Sequence, residues 1–412
     1  MTKKSDAPAI RFKGFSDAWE QRKVGDLLIE RNQQAPMSDE YPLMAFIANE
    51  GVAPKGERYD RSALVTDTVN KLYKKTEKGD FIYSSNNLET GSIGLNKYGK
   101  ACISPVYSIF EPTGIADSDF LGRRLVRKDF INAMVKWRQG VIYGQWRIHE
   151  SDFLKIEITV PSVEEQRKIG AYFDQLDNLI TLHQRKFEKL TNVKKSMLEK
   201  MFPQNGSSYP EIRFKGFTDP WEQRKLGELV DRVVRKNTNN ESTLPLTISA
   251  QYGLVDQITY FNNRVASRDV SNYYLVLNGE FAYNKSTSDG YPFGAVKRLD
   301  LYEKGVLSTL YIVFAPKKEQ QIDSDYLTVF FDTDRWHKGV AERAAEGARN
   351  HGLLNISAED FFDIDLSVPK DIVEQKQIGA FIRQLDNLIT LHQRELEKLQ
   401  NIKKSMLEKM FV

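Results

Sequence analysis

Eleven consecutive residues, QLDNLITLHQR, occur at 175–185 and again at 384–394 without one substitution. A chain that repeats so long a segment is built as two related halves, and self-similarity of this kind constrains architecture more than local propensity does. The repeat runs well beyond the eleven residues. Residues 165–202 (EQRKIGAYFDQLDNLITLHQRKFEKLTNVKKSMLEKMF) align with 374–411 (EQKQIGAFIRQLDNLITLHQRELEKLQNIKKSMLEKMF), and residues 10–25 (IRFKGFSDAWEQRKVG) align with 212–227 (IRFKGFTDPWEQRKLG). Each half therefore has a short opening motif, a long body and a closing helix. Between the halves lies PQNGSSYP (203–210), in which Pro203 stops a helix and Gly206, Ser207 and Ser208 supply slack.

The bodies have diverged to a skeleton. KGDFIYSSNN (78–87) lines up with NGEFAYNKST (278–287), CISPVYSIFEP (102–112) with VLSTLYIVFAP (306–316), and SDFLKIEITVP (151–161) with EDFFDIDLSVP (359–369). These stretches are β-branched or aromatic with partial alternation and read as strands. Residues 119–138 and 325–346 carry helical spacing. The expected fold class is α+β: two mixed α/β bodies, each followed by a long helix. The boundaries fall at 1–160 for the first body, 161–203 for its helix, 204–210 for the linker, 211–368 for the second body and 369–412 for the last helix.

Ser162-x-x-Glu165 and Asp371-x-x-Glu374, each just after a Val-Pro, read as capping boxes. Beyond them an apolar stripe recurs every seven residues. It runs through Ile169, Leu176, His183 and Leu190 with Leu179 beside it, and in the second copy through Ile378, Leu385, His392 and Leu399 with Leu388 beside it. Thirty-eight residues at 1.5 Å each make a rod of about 57 Å, longer than such a body can cover. Packing of each helix on its own body is the alternative; pairing of the two copies is the simpler reading. His183 and His392 fall in mid-seam as packing residues, since two histidines without cysteine or carboxylate support make a poor metal site.

No catalytic constellation is present. The sequence has no GxxxxGK[ST], GxSxG or HExxH, its five histidines are scattered, and GSIGLN (91–96) lacks the third glycine of a dinucleotide turn. Cys102 is the only cysteine, which excludes a disulfide framework and a cysteine-rich zinc site and points to a reducing cytoplasm. No apolar run approaches the roughly 18 residues of a membrane span, and the opening residues lack a signal-peptide core. A net charge of +3 is compatible with a nucleic-acid partner without requiring one.

Two divergent bodies on a duplicated frame describe two recognition heads. Several polar turns carry side chains suited to base edges and phosphates. In the first half these are Ser84, Asn86, Asn87, Arg138, Tyr143, Gln145, Trp146 and Arg147. In the second they are Asn284, Lys285, Ser286, Thr287, Arg343, Arg349 and Asn350. Solvated loops have the same composition, so the residues alone leave both readings open.

The doubled IRFKGFxDxWEQRKxG opening, the Gly79-Asp80 and Gly279-Glu280 turns, the Val-Pro followed by EQxxIG, and the LDNLITLHQR helix together resemble the specificity subunits of type I restriction-modification systems. The resemblance spans essentially the whole chain. It implies two target recognition domains reading unequal halves of a bipartite asymmetric DNA site. It also implies an antiparallel coiled coil of the two helices with pseudo-twofold symmetry, and no catalysis or cofactor in this chain. The implied partners are double-stranded DNA, two methyltransferase subunits using S-adenosylmethionine, and two restriction subunits using ATP and Mg. Head sequences vary freely in such a family, so no target sequence carries over. Glu280 departs from the commoner Gly-Asp pattern. A coiled-coil adaptor without DNA contact and an autonomous DNA-binding regulator are the competing readings.

Overall fold

The computed structural model describes residues 7–54, 71–140, 146–204, 206–249, 252–288, 290–344 and 354–411. The chain forms two compact units, and their boundary does not follow the repeat. One unit holds the residues up to His183 together with those from Glu395 onward; the other is Gln184–Arg394. Both long helices form as expected, Val163–Lys200 and Ile372–Lys409. Each unit thus contains the first half of one long helix and the last half of the other.

In the first unit a four-stranded antiparallel sheet runs in the order Leu28–Glu30, Ser108–Pro112, Phe81–Tyr83, Ile93–Leu95. Its core face carries Phe81, Tyr83 and Phe110, which pack with Phe153 and Phe130. The helical region 119–138 is two helices, Ser118–Arg124 and Lys128–Val135. The first is capped by Asp117, whose carboxylate accepts from the Phe120 amide. The 151–161 stretch, expected as strand throughout, opens with a helical turn, Glu150–Phe153. Only Glu157–Val160 is strand, and it pairs with Glu20–Lys23 of the opening motif. Burial of Phe153 among the sheet aromatics sets that turn, a tertiary requirement that strand propensity does not register.

The second unit repeats this plan with different residues. Its sheet runs Val230–Arg232, Ile312–Pro316, Phe281–Asn284, Ala295–Arg298. Its helices are Ser324–Phe331 and His337–Arg343, and Ala358–Phe362 precedes the strand Asp365–Val368, which pairs with Glu222–Lys225.

The capping-box assignments hold only in part. Ser162 Oγ accepts from the Glu165 amide at 3.4 Å, and Asp371 from Val373 at 2.7 Å. The two glutamates do not fold back on their helices. Glu165 is 1% exposed and takes a two-pronged contact from Arg11 at 2.9 and 2.7 Å; Glu374, equally buried, takes the same contact from Arg213 at 2.7 and 2.8 Å. A buried carboxylate demands a partner, and the arginine of each IRFKGF motif supplies it. The neighbouring glutamines, Gln166 and Gln375, bond both the Val-Pro carbonyl and the amide of a helix cap, Asp117 or Asp323. Glycine completes the motif by close approach. A Cβ at Gly170 would lie 2.5 Å from Asp117 Oδ1, and one at Gly379 would lie 2.7 Å from the Asp325 Cβ. EQxxIG is therefore a docking device that fixes each long helix to its own head.

The last half of the other helix closes each unit. In the first unit Ile169, Phe173 and Leu176 pack with Leu399, Ile402, Met406 and Met410, and Asp177 pairs with Lys403 at 2.6 Å. Phe411 stacks on Phe120 at 5.3 Å, and the Ile10 amide donates to the Lys409 carbonyl. In the second unit Ile378, Ile382 and Leu385 pack with Leu190, Val193 and Met197, Asp386 pairs with Lys194 at 2.7 Å, and the Ile212 amide donates to the Lys200 carbonyl. In both, one segment runs toward its C-terminus while the other runs back, so the pairing is antiparallel. Leu179 and Leu388, expected beside the seam, are instead 43% and 37% exposed. At 100° per residue, a seam centred on Phe173, Leu176 and Asp177 leaves Leu179 about 100° off the contact.

Where the two helices differ, the heads explain it. Asp174 binds Arg123 at 2.7 Å and Lys97 at 3.0 Å, whereas its counterpart Arg383 pairs with Asp325. The sign of the contact has reversed with its partner. Glu280 is accounted for in the same way. Asp80 meets Arg31 at 2.9 Å, and the longer Glu280 reaches Arg235 at 2.7 Å.

Candidate nucleic-acid interface

In the first unit the strand Phe81–Tyr83 delivers the chain into a closed polar turn. Ser84 N donates to Ser92 O, Asn87 N to Ser84 O and Ser92 N to Asn87 O, at 2.9 to 3.2 Å. Ser84 itself is buried at 6% exposure, so it belongs to the turn's foundation rather than its surface; Asn86 and Asn87 are exposed. The two-stranded ribbon Gln139–Gly140 with Trp146–Arg147 leans on this turn. The Trp146 amide donates to Asn86 Oδ1 at 2.6 Å, and the Ile148 amide to Ser85 Oγ at 3.0 Å. Arg138, beneath the ribbon, holds Glu89 at 3.0 Å with a side chain only 10% exposed. Arg147 is 58% exposed and lies 3.8 Å from Glu150. Tyr143 and Gln145 fall outside the described residues.

Sequence reasoning did not register a third segment, the tip of the hairpin Ala45–Ile47 with Gly51–Ala53. There the Asn49 amide donates to the Gly91 carbonyl at 3.0 Å. Gly91 has a φ of +95°, and a Cβ on it would lie 2.3 Å from Asn49 Oδ1. The glycine in GSIG was the available signal. It serves loop-to-loop packing.

In the second unit the equivalent strand, Phe281–Asn284, leads into Lys285–Thr287. Asn284 Oδ1 accepts from the Ser286 amide at 3.0 Å. Lys285 lies against the chain ahead of Ala358–Phe362. Its carbonyl accepts from Leu354 N at 3.0 Å and its ammonium reaches Ile356 O at 3.4 Å. Ser286 is exposed; Asn284, Lys285 and Thr287 are half-buried. Burial holds the Tyr83 and Tyr283 phenols protonated by pushing both pKa values up, and Tyr283 donates to the Phe293 carbonyl at 2.8 Å. Arg343 does not join this cluster. It is fastened to Asp363 at 2.7 Å, an ion pair that holds that carboxyl below its ordinary range. Arg349 and Asn350 lie outside the described residues. Both heads thus place the turn after their Gly-Asp or Gly-Glu strand against the segment that enters the short helix. That position is shared although the residues filling it differ.

No group of three metal-ligating side chains occurs among the described residues. No helix there is long and apolar enough to cross a membrane.

Two stretches, 16–192 and 218–401, match the type I restriction modification DNA specificity domain. The chain belongs to that family, and its role is that of a DNA-recognition subunit of a type I restriction-modification system. It is 23% identical to the type I restriction enzyme MjaVIII specificity subunit of Methanocaldococcus jannaschii, over 94% of this chain and 91% of that one. Its fold is similar to the crystal structure of the type I restriction-modification system S subunit from M. genitalium. The TM-score is 0.58 at 13% identity, covering 98% and 99% of the two chains.

Proposed function

We propose that this chain reads a bipartite, asymmetric duplex target, one half-site per head, and carries no catalytic site of its own. The paired helices set the number of unspecified base pairs between the half-sites. Two methyltransferase subunits, using S-adenosylmethionine, dock on the chain, and two restriction subunits supply the ATP- and Mg-dependent steps. The observation that carries this reading is the contrast within one chain. The Arg11–Glu165 clamp recurs as Arg213–Glu374 and the Asp177–Lys403 pair as Asp386–Lys194. The polar turns at 84–87 and 284–287 occupy one position with unrelated residues. A second observation favours docking. Leu179 and Leu182, and their copies Leu388 and Leu391, are all exposed and identically flanked, as expected of a surface used twice by one kind of partner.

The test is replacement of residues 1–155 by the head of a relative, followed by methylome sequencing with the methyltransferase present. One half of the methylated sequence is expected to change and the other to stay. A change in both halves overturns the division of labour.

Contacts within a half-site separate by substitution. Alanine at Arg147 or Asn284 is expected to relax one target position at a cost of about 1–3 kcal/mol. Alanine at Lys285 is expected to weaken all sequences alike and flatten the salt dependence of binding. Binding isotherms on target and single-mismatch duplexes at several salt concentrations check both. Unchanged isotherms for all three variants place the interface elsewhere.

A further inference from the structure

The chain has five tryptophans. Trp19, Trp221 and Trp336 are core residues, at 4%, 4% and 2% exposure. The other two, Trp137 at 40% and Trp146 at 48%, sit on and just ahead of the same ribbon of the first head. Indole is a large apolar surface, and two of them left in water at one place mark a surface made to be covered. Trp146 is fixed from behind. Its amide is tied to Asn86 and its strand partner is Gly140, which sets no side chain beside the ring. Arg138, just ahead of the ribbon, is nine-tenths buried and holds Glu89, and among the described residues its Nε and Nη2 have no hydrogen-bond partner. Exposed indoles beside the 58% exposed Arg147 and the exposed Asn86 and Asn87 match an anionic, stackable ligand better than an apolar protein surface.

We propose that Trp146, seconded by Trp137, is an aromatic wedge that stacks on base faces at a deformed step of the first head's half-site. This rests on the reading of the heads as DNA-binding and adds a mode of contact to it. Stacking is indifferent to base identity. The wedge therefore supplies affinity and selects for deformable steps, while the Asn86 and Asn87 amides read edges.

The arrangement of tryptophans makes the test direct, because the water-exposed part of the emission reports this ribbon alone. The full chain is titrated at low salt with a fluorescein-labelled 40-base-pair random-sequence duplex. Binding is followed by anisotropy, and tryptophan accessibility by acrylamide quenching. Binding is expected to shield the exposed tryptophans. Trp146→Ala is expected to lower affinity about tenfold to a hundredfold, and Trp146→Phe to retain most of it. Both should melt with the parent, because the ring is 48% exposed and belongs to none of the core clusters of the described residues. Duplex binding without shielding, or a Trp146→Ala chain that binds as tightly as the parent, overturns the wedge while leaving DNA recognition intact. Loss of methyltransferase association in Trp146→Ala at unchanged duplex affinity assigns the ribbon to a protein partner and also overturns it. A parent chain that binds no duplex overturns the wedge together with the reading beneath it.

Discussion

Arg213→Ala is expected to destabilise the second unit by about 3 kcal/mol, because it leaves the Glu374 carboxylate buried without its counter-charge. Glu374 is 1% exposed, and among the described residues its remaining side-chain hydrogen bond is from the Trp221 indole at 3.4 Å. For a body of this size that loss corresponds to a melting shift of roughly 6–12 °C. The first unit has its own clamp, Arg11 on Glu165, so its transition should stay in place and the melt should split. Arg213→Met combined with Glu374→Leu removes both charges at similar volume and is expected to recover most of the stability. Calorimetry on the three variants decides the point. A single mutant that melts with the parent, or a double mutant no better than the single, would show that the pair does not hold the second unit together and that the IRFKGF motif is kept for another reason.

A two-residue insertion between Gln184 and Arg185 is expected to bring target methylation to background. It rotates every later residue of the first long helix by about 200°. Leu190, Val193 and Met197 would then leave the cluster with Ile378, Ile382 and Leu385, and Lys194 would leave Asp386. Seven residues inserted at the same point of both helices return the stripe to its face and add about 10 Å of helix. At 3.4 Å per base pair, the unspecified gap should then move by at most about three base pairs with both half-sites unchanged. Methylome sequencing of the two variants with the methyltransferase reads the result. Normal methylation by the two-residue variant, or an unmoved gap in the heptad variant, removes the helices as the spacing element.

The repeated parts of this fold were legible because they obey local rules. A 38-residue amphipathic helix announces itself through its spacing, and it is present in both halves. What escaped was set by distant partners. Glu165 satisfies a capping-box pattern, yet Arg11, 154 residues away, claims its carboxylate. Leu179 satisfies a heptad pattern, yet it is exposed, because the contact runs through Ile169, Phe173 and Leu176 and Leu179 is turned about 100° away from them. The short helix Glu150–Phe153 hides in a strand-like stretch because Phe153 fills the aromatic core of the sheet. In the candidate interface, composition chose Asn86, Trp146 and Arg147, and the structure places the Trp146–Arg147 strand against the turn that carries Asn86. It also chose Ser84, which is buried, and Arg343, which serves Asp363. Polar residue type cannot distinguish a side chain that faces solvent from one that ties down the backbone next to it.

The exchange of helix ends has a consequence for the order in which the protein matures. Phe120 and Phe173 of the first unit are covered by Phe411, and Arg127 reaches the Leu407 carbonyl at 2.6 Å. Those partners leave the ribosome only after all of Gln184–Arg394 has been made. At about 5–20 residues per second that is a wait of roughly 10–40 s. The second unit, whose residues are contiguous, can close first. The half synthesised first is thus completed last, and during translation its apolar helix face stands open to whatever binds it in the meantime.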